Sequence, residues 1–150
     1  MLNCPRDATD LQTTQEHGIQ VDRCATCKGE WFDFGELAEL EASIAKTDAD
    51  KAGMIEYSKR PGELACPVCA KTMTAFDYRG HGLELDACSE EHGFWLDAGE
   101  SEGVRAVMRE RVSGVQRSQR AEARWNRERE ANFKSSLIDR IRNLFTGGRL

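Results

Sequence analysis

Apolar and polar residues alternate in two short stretches of the chain, which predicts two β-strands of related sequence. Ile19 and Val21 are the apolar positions of the first stretch, and Leu83 and Leu85 are those of the second. Each stretch follows a His-Gly pair, and glycine tolerates the positive φ that a tight hairpin turn requires. The pattern therefore predicts one β-hairpin at each of two places in the chain.

A helical spacing of apolar residues follows each predicted hairpin. Asp33 and Asp97 stand where each helix would begin, and each has a glutamate three residues later, a variant of the capping box. The apolar faces consist of Leu37, Leu40 and Ile44 in the first helix, and of Val104, Val107, Met108, Val112 and Val115 in the second.

The sequence of the C-terminal part predicts a long helical tail made of two segments of different character. Residues 116–132 are nearly all polar, which is typical of a solvated helix. Beyond them, apolar residues recur at i, i+4, i+8 and i+11, at Phe133, Leu137, Ile141 and Leu144. This amphipathic helix cannot bury its apolar face alone, and Gly147-Gly148 is expected to end it.

The chain contains an internal repeat, because residues 17–36 align with residues 81–100 at an offset of 64. Nine of the twenty aligned positions are identical, including the histidine, a cysteine and the tryptophan. Cys4 aligns with Cys66 at an offset of 62, so the second copy has two extra residues. We therefore predict a first module with its helix at 1–46, a linker at 47–63, a second module at 64–103, a charged helix at 104–132 and a basic amphipathic helix at 133–150.

Composition and charge limit the classes of protein that fit. Hydrophobic residues make up 39% and charged residues 31% of the 150, so the chain can bury only a modest core. Modules this small are only marginally stable without a metal ion or disulfides. Residues 1–103 carry a net charge of −12 and residues 104–150 carry +7, which indicates different roles for the two parts. No stretch approaches the roughly 18 apolar residues of a membrane-spanning helix. The N-terminus lacks the apolar core of a signal peptide, so we expect a cytoplasmic protein.

Six cysteines in a reducing compartment favour metal binding over disulfides. Two short knuckles about 20 residues apart, in a module too small for a core, form a zinc-ribbon pattern. The first module offers Cys4, Asp7, Cys24 and Cys27, with water or His17 as the alternative to Asp7. The second offers Cys66, Cys69, Cys88 and His92, with Glu91 as the alternative fourth ligand. Only three thiolates in each copy argue against iron, so we predict two structural Zn²⁺ ions per chain.

The order of these residues resembles a known family. Cys-Pro-x-[Cys/Asp] is followed by His-Gly-x-x-x-Asp-x-Cys-x-x-Cys-x-Gly-x-Trp-[Phe/Leu]-Asp-x-Gly-Glu, which closely resembles the transcription-factor-IIB-type zinc ribbon of bacterial proteins. The resemblance covers roughly residues 1–45 and 64–105, and the second copy departs from it at Glu91-His92-Gly93. It implies a zinc-binding ribbon fold. Aspartate also occurs at the second ligand position of that family, and its eukaryotic and archaeal namesake docks on RNA polymerase.

These observations predict a small α+β protein of two tandem zinc ribbons, each a short hairpin with zinc knuckles and a following helix, plus a long C-terminal helical tail. We expect a non-enzymatic recognition or scaffold protein that self-associates or binds a protein partner through the C-terminal helix. The alternative is a transcriptional regulator associated with nucleic acid or RNA polymerase, and contact of the helix with a membrane surface is a further alternative. The candidate partner contacts are Trp31, Trp95, Phe133, Leu137, Ile141 and Leu144.

Overall fold

A computed structural model of the chain describes residues 1–146, with the side chains of residues 1–142. The strands are β1 (Leu11–Glu16), β2 (Ile19–Cys24), β3 (Glu30–Phe32), β4 (Glu56–Ala65), β5 (Thr72–Tyr78), β6 (Leu83–Ala87) and β7 (Phe94–Leu96). The helices are α1 (Phe34–Ala42), α2 (Asp48–Lys51) and α3 (Glu100–Thr146). Residues 1–112 form one compact unit, and the described residues from 113 onwards belong to a second.

All seven strands belong to one antiparallel sheet, in the order β1-β2-β3-β7-β6-β5-β4. The order β1-β2-β3 in the first half is mirrored by β5-β6-β7 in the second. The halves meet where β3 pairs with β7, and Trp31 stands opposite Trp95 in that pairing. Small α+β architecture with a long C-terminal helix is thus observed, but the two halves share one sheet.

The two hairpin turns differ in length. In the first half, His17 and Gly18 form the turn with φ of 53° and 84°. These values lie in the left-handed region, which glycine adopts without steric cost. In the second half, residues 79–82 connect β5 to β6, and Arg79, Gly80 and Gly82 all have positive φ. The two residues by which the second copy is longer therefore lie in this turn.

The segment 47–63, which the sequence predicted to be a linker, contains regular secondary structure. It contains α2 and most of β4, which pairs along β5. The pairing is irregular between Tyr57 and Arg60 and again between Pro61 and Ala65. Pro61 has no N–H to donate, and such a residue is accommodated at a sheet edge. This edge position explains why β4 carries little alternation of apolar residues.

The apolar core consists of two clusters on opposite faces of the sheet. Side chains alternate between faces along a strand, so neighbouring residues such as Trp31 and Phe32 belong to different clusters. One cluster packs the strands against α1 and the first turns of α3, with Leu40, Val104 and Met108 fully buried. The other cluster contains Trp31, Trp95 and all six cysteines. The sheet thus has a helix face and a cysteine face.

A buried polar network joins the two halves on the helix side. Glu41 of α1 accepts hydrogen bonds from the Tyr78 hydroxyl and from Arg79, whose Nη2 lies 3.0 Å from Glu41 Oε1. Arg79 also donates to the carbonyl oxygens of Lys51 and Ala52. Burial raises the pKa of the Tyr78 hydroxyl, and the adjacent Glu41 carboxylate raises it further. The tyrosine therefore remains a donor to Glu41 at every physiological pH.

The helix starts match the predicted capping boxes fully in α1 and only in part in α3. The capping box predicted at Asp33 and Glu36 is present at the start of α1. Asp97, the predicted N-cap of the second helix, does not cap α3, because α3 begins at Glu100 and the Asp97 carboxylate binds Arg6 and Trp95. The other half of the predicted box is present, since the Asp97 N–H donates to Glu100 Oε2 at 2.6 Å. Burial raises the pKa of the Glu100 carboxyl to about 7, and the carboxylates of Asp97 and Asp86 raise it as well.

Replacing Glu100 by glutamine is expected to change how stability depends on pH. Because the folded-state pKa of Glu100 is raised, folding favours its protonated form, and that contribution is lost as pH rises through about 7. At pH 8, Glu100→Gln should therefore raise the free energy of unfolding by about 2 kcal/mol, since glutamine retains the capping hydrogen bond. At pH 5 the two proteins should be nearly equal. Urea unfolding of both at pH 5 and pH 8 measures this, and an equal difference at both pH values would contradict it.

The tail differs from its prediction of two helices, because α3 runs through Gly114 and through the boundary at residue 132 without a break. The predicted stop at Gly147-Gly148 lies outside the described residues. Within the described part of the chain, no helix combines the length and the apolar character needed to cross a membrane.

Candidate metal centres

The first cluster of metal-binding side chains lies on the cysteine face of the first half. Cys4 and Asp7 come from the turn before β1, Cys24 ends β2, and Cys27 lies in the turn before β3. One donor atom from each lies within 4.8 Å of the others. Cys4 and Cys24 are buried, whereas Asp7 is exposed. The structure thus brings together the four residues that the sequence selected, and the alternative, His17, lies elsewhere, beside Glu16, Glu102 and Arg105.

The spacing of donor atoms in this cluster fits a tetrahedral zinc ion. Two sulfurs that bind one tetrahedral zinc lie about 3.8 Å apart, and a sulfur and a carboxylate oxygen lie about 3.6 Å apart. Cys4 Sγ and Cys27 Sγ are separated by 3.6 Å. Cys24 Sγ lies 3.6 and 3.5 Å from the two carboxylate oxygens of Asp7. These separations match the edges of a tetrahedron without rearrangement of the knuckles.

The second cluster occupies the equivalent place in the other half. It consists of Cys66, Cys69, Cys88 and His92, again with donor atoms within 4.8 Å of one another. Cys69 Sγ lies 3.6 Å from Cys88 Sγ. The Nδ1 atom of His92 lies 3.4 Å from Cys88 Sγ and 4.0 Å from Cys66 Sγ. Imidazole nitrogen and thiolate sulfur are ordinary zinc ligands, so this set also fits.

A shifted turn explains why His92, rather than Glu91, enters the second cluster. In the first half, the left-handed residue of the knuckle is Lys28, which follows Cys27. In the second half, the left-handed residue is Glu91, with φ of 59°, so the turn comes one residue earlier relative to the repeat. Glu91 is exposed and is not part of the cluster. His92, the next residue, places the Nδ1 atom of its imidazole in the cluster.

The electrostatics of the clusters favour a bound dication. Burial raises the pKa of the Cys4 thiol to about 12 and that of Cys66 to about 11. Burial acts on Cys88 too, but the N–H groups of His92 and Glu90 donate to its sulfur and lower its pKa to about 7. Each cluster therefore contains a buried thiol that keeps its proton at neutral pH unless a cation stabilises the thiolate.

A hydrogen bond within its own turn keeps the Asp7 carboxylate ionised. The Thr9 N–H donates to Asp7 Oδ1 at 3.0 Å. This hydrogen bond is the main reason why the pKa of Asp7 is lowered. The carboxylate is therefore ionised at neutral pH and has lone pairs available for a metal.

The two tryptophans of the repeat pack reciprocally between the halves. A Cβ atom built on Gly29 would lie 2.2 Å from Cζ2 of Trp95, and one built on Gly93 would lie 2.9 Å from Cζ2 of Trp31. Each indole therefore covers the knuckle glycine of the other half. Trp31 and Trp95 are 3% and 0% exposed. Their assignment as candidate partner contacts was wrong, because both are buried inside the chain.

One contact between the halves was not predicted from the sequence. The Arg6 guanidinium, in the first knuckle, forms a two-point ion pair with the Asp97 carboxylate beyond β7. Asp97 also accepts a hydrogen bond of 3.0 Å from Trp95 Nε1. The first knuckle is thus tied to the loop that precedes α3. Because 91 residues separate Arg6 from Asp97, no local pattern could have indicated this pair.

The candidate contacts in the tail remain on the surface. Phe133, Leu137 and Ile141 are exposed in α3 by 69%, 46% and 46%. The Leu144 side chain lies outside the described ones.

Comparison with known proteins supports one zinc ribbon. The family model of the transcription-factor-IIB-type zinc ribbon, described as a transcription factor zinc-finger, matches residues 3–43. These residues include the whole first cluster, β1 to β3 and α1. No curated protein and no solved structure matches the chain. The match and the two cysteine clusters together indicate a zinc-binding protein.

Proposed function

We propose that the chain is a non-enzymatic zinc scaffold with two tandem zinc ribbons and two Zn²⁺ ions. The second ribbon comprises β5 to β7 with its own ligand set, although the family match covers only the first. The observation that carries the proposal is the reciprocal packing of Trp31 and Trp95 on the opposite knuckle glycines. This packing makes both metal clusters parts of a single rigid sheet, which suits a recognition surface.

A structural role for both ions follows from the donor count. Each cluster supplies four protein ligands, whereas catalytic zinc keeps an open position for water or substrate. The six cysteines are free thiols and supply six of the eight donor atoms of the two clusters. The long helix α3 would then attach this scaffold to the surface that it binds.

A native mass spectrum of the untagged protein tests this proposal. We expect two zinc ions per chain, and the same spectrum gives the number of chains per particle. Cys88→Ser should lose one zinc, whereas Ser89→Ala, at the exposed neighbouring position, should keep both. A wild-type chain with one zinc or none would refute the proposed second ribbon.

The two sites are expected to lose zinc in a fixed order. Each site has three thiolates, and its fourth ligand is the harder Asp7 carboxylate in the first and the His92 imidazole in the second. The first site should therefore bind zinc more weakly than the second. Titration with a chelator, followed by native mass spectrometry, should yield an intermediate with one zinc. In the Cys88→Ser variant, the remaining zinc should be removed more easily than in Asp7→Cys/Cys88→Ser. Simultaneous release, or earlier release from the second site, would contradict Asp7 as a ligand.

The second candidate function is a regulator that binds nucleic acid. The transcription-factor description of the matching family favours it, and residues 117–142 contain eight basic and four acidic side chains. Residues 1–103, with a net charge of −12, oppose it. Binding of duplex DNA and of RNA measured over a range of salt concentrations distinguishes the two functions. A steep negative salt slope would favour the regulator, and absence of binding at low salt would exclude it.

A further inference from the structure

A stripe of exposed apolar side chains lies near the end of α3. Phe133 and Ile138 are 69% and 61% exposed, and Leu137 and Ile141 are each 46% exposed. None of the four belongs to either core cluster of the described residues. We therefore ask which surface covers these apolar side chains, and the width and charge of the stripe indicate its kind.

The stripe is broader than the seam of a two-stranded coiled coil. At about 100° per residue, Phe133, Leu137, Ile141 and Ile138 follow one another around an arc of about 140°. A coiled-coil seam uses only the narrower strip of a and d positions. The width of this arc matches a helix that rests on an extended apolar surface.

Basic residues lie within the stripe and at both of its borders. On the same scale, Lys134 falls between Ile141 and Ile138, and Arg140 and Arg142 lie about 20° and 40° outside the two edges. Asp139 lies on the opposite side of the helix and pairs with Arg142 at 2.6 Å. In a protein groove, or against a second copy, the Lys134 ammonium would lose its water among apolar side chains. At a lipid surface, its long stem can carry the ammonium to the phosphate layer.

We propose that residues 133–142 of α3 lie flat in the surface of an anionic lipid membrane, with the four apolar side chains in the acyl boundary. The segment spans ten residues, so it cannot cross a bilayer, which needs about 20. The basic residues at its borders complement anionic headgroups. The highly acidic residues 1–103 would stay in water. Zinc binding is independent of this contact, so failure of either proposal leaves the other intact.

Flotation of the zinc-loaded full-length protein with lipid vesicles tests the proposal. We expect binding to vesicles that mix phosphatidylglycerol with phosphatidylcholine, weaker binding at high salt, and none to phosphatidylcholine alone. Leu137→Gln/Ile141→Gln should weaken binding more than about 100-fold. Lys134→Gln/Arg140→Gln should weaken it about 25-fold, at about fivefold per charge. The matched control is Ser135→Gln/Ser136→Gln on the polar side, which should bind like the wild type.

Three results would overturn the proposal. The first is no binding to anionic vesicles at low salt. The second is a dimer that dissociates in Leu137→Gln/Ile141→Gln while vesicles bind neither form, which would assign the stripe to a second copy. The third is binding to nucleic acid, but not to vesicles, that is lost in Lys134→Gln/Arg140→Gln and retained in the apolar variant. Circular dichroism of each variant checks that α3 remains helical, and native mass spectrometry checks that the zinc content is unchanged.

Discussion

Removal of both zinc ions is expected to abolish the cooperative unfolding transition of residues 1–112. Structural zinc contributes about 10–16 kcal/mol to the folding of zinc-finger peptides, which matches or exceeds the whole stability of a typical domain, about 5–15 kcal/mol. In this chain the ligands are also core residues, because all six cysteines share one apolar cluster with Trp31 and Trp95. Without a cation, the four donor groups of each cluster lose their common bonding partner, and the buried thiols of Cys4 and Cys66 keep their protons at neutral pH.

Thermal unfolding followed by near-ultraviolet circular dichroism measures this effect. The signal should come mainly from the two buried tryptophans, since Trp125 is 65% exposed. A chelator should remove the signal, and added zinc should restore it. The helix content should fall much less, because α3 extends beyond the unit that contains the metal clusters. An unchanged melting curve in protein shown to be free of zinc would contradict a structural role for the metal.

Gly93→Ala is expected to lower the free energy of unfolding by at least about 3 kcal/mol. A Cβ atom at this position would lie 2.3 Å from the Phe32 carbonyl oxygen and 3.0 Å from Asp33 Cα. Both are backbone atoms, so no side chain can move aside. Gly93 also has φ of 152°, which other residues rarely adopt. The substitution would force β3 away from β7 and so separate the two halves of the sheet.

Gly82→Ala is the matched control for this substitution. Gly82 has φ of 73°, but no atom lies within 4 Å of a Cβ built on it. The control should therefore lose only about 1 kcal/mol, the cost of a left-handed backbone for alanine. Urea unfolding of both zinc-loaded variants measures the difference. Equal losses would show that the close approach of the two strands does not limit stability.

Features with short-range signals were predicted well from the sequence. The capping box at Asp33 depends on two residues three positions apart, and the apolar face of α1 depends on the helical spacing of a few residues. Both can therefore be predicted from residues that are close in sequence. The repeat placed the metal-binding candidates in two equivalent groups, which the structure brings together. The candidate zinc ligands could be predicted for the same reason, since each knuckle contains its two ligands within four or five residues.

Features that depend on distant contacts were not predicted. β3 and β7 have three residues each, too few to show alternation, and they pair across 64 residues. β4 was assigned to a linker because it contains Pro-Gly and few apolar residues, yet its edge position tolerates both. The tryptophans were considered candidates for partner contact because a single small module would expose them. Only the pairing of the halves buries them.

The pairing of β3 with β7 has the form of an isologous dimer interface enclosed within one polypeptide. Equivalent residues meet across it, Trp31 against Trp95, as they would across the two-fold axis of a homodimer. Joining the two halves in one chain replaces a concentration-dependent association by an intramolecular one, with an effective concentration of about millimolar or more. It also frees the two copies to diverge, which identical subunits encoded by one gene cannot do. The aspartate in one candidate ligand set and the histidine in the other are such a divergence, and the two proposed zinc sites would differ in affinity because of it.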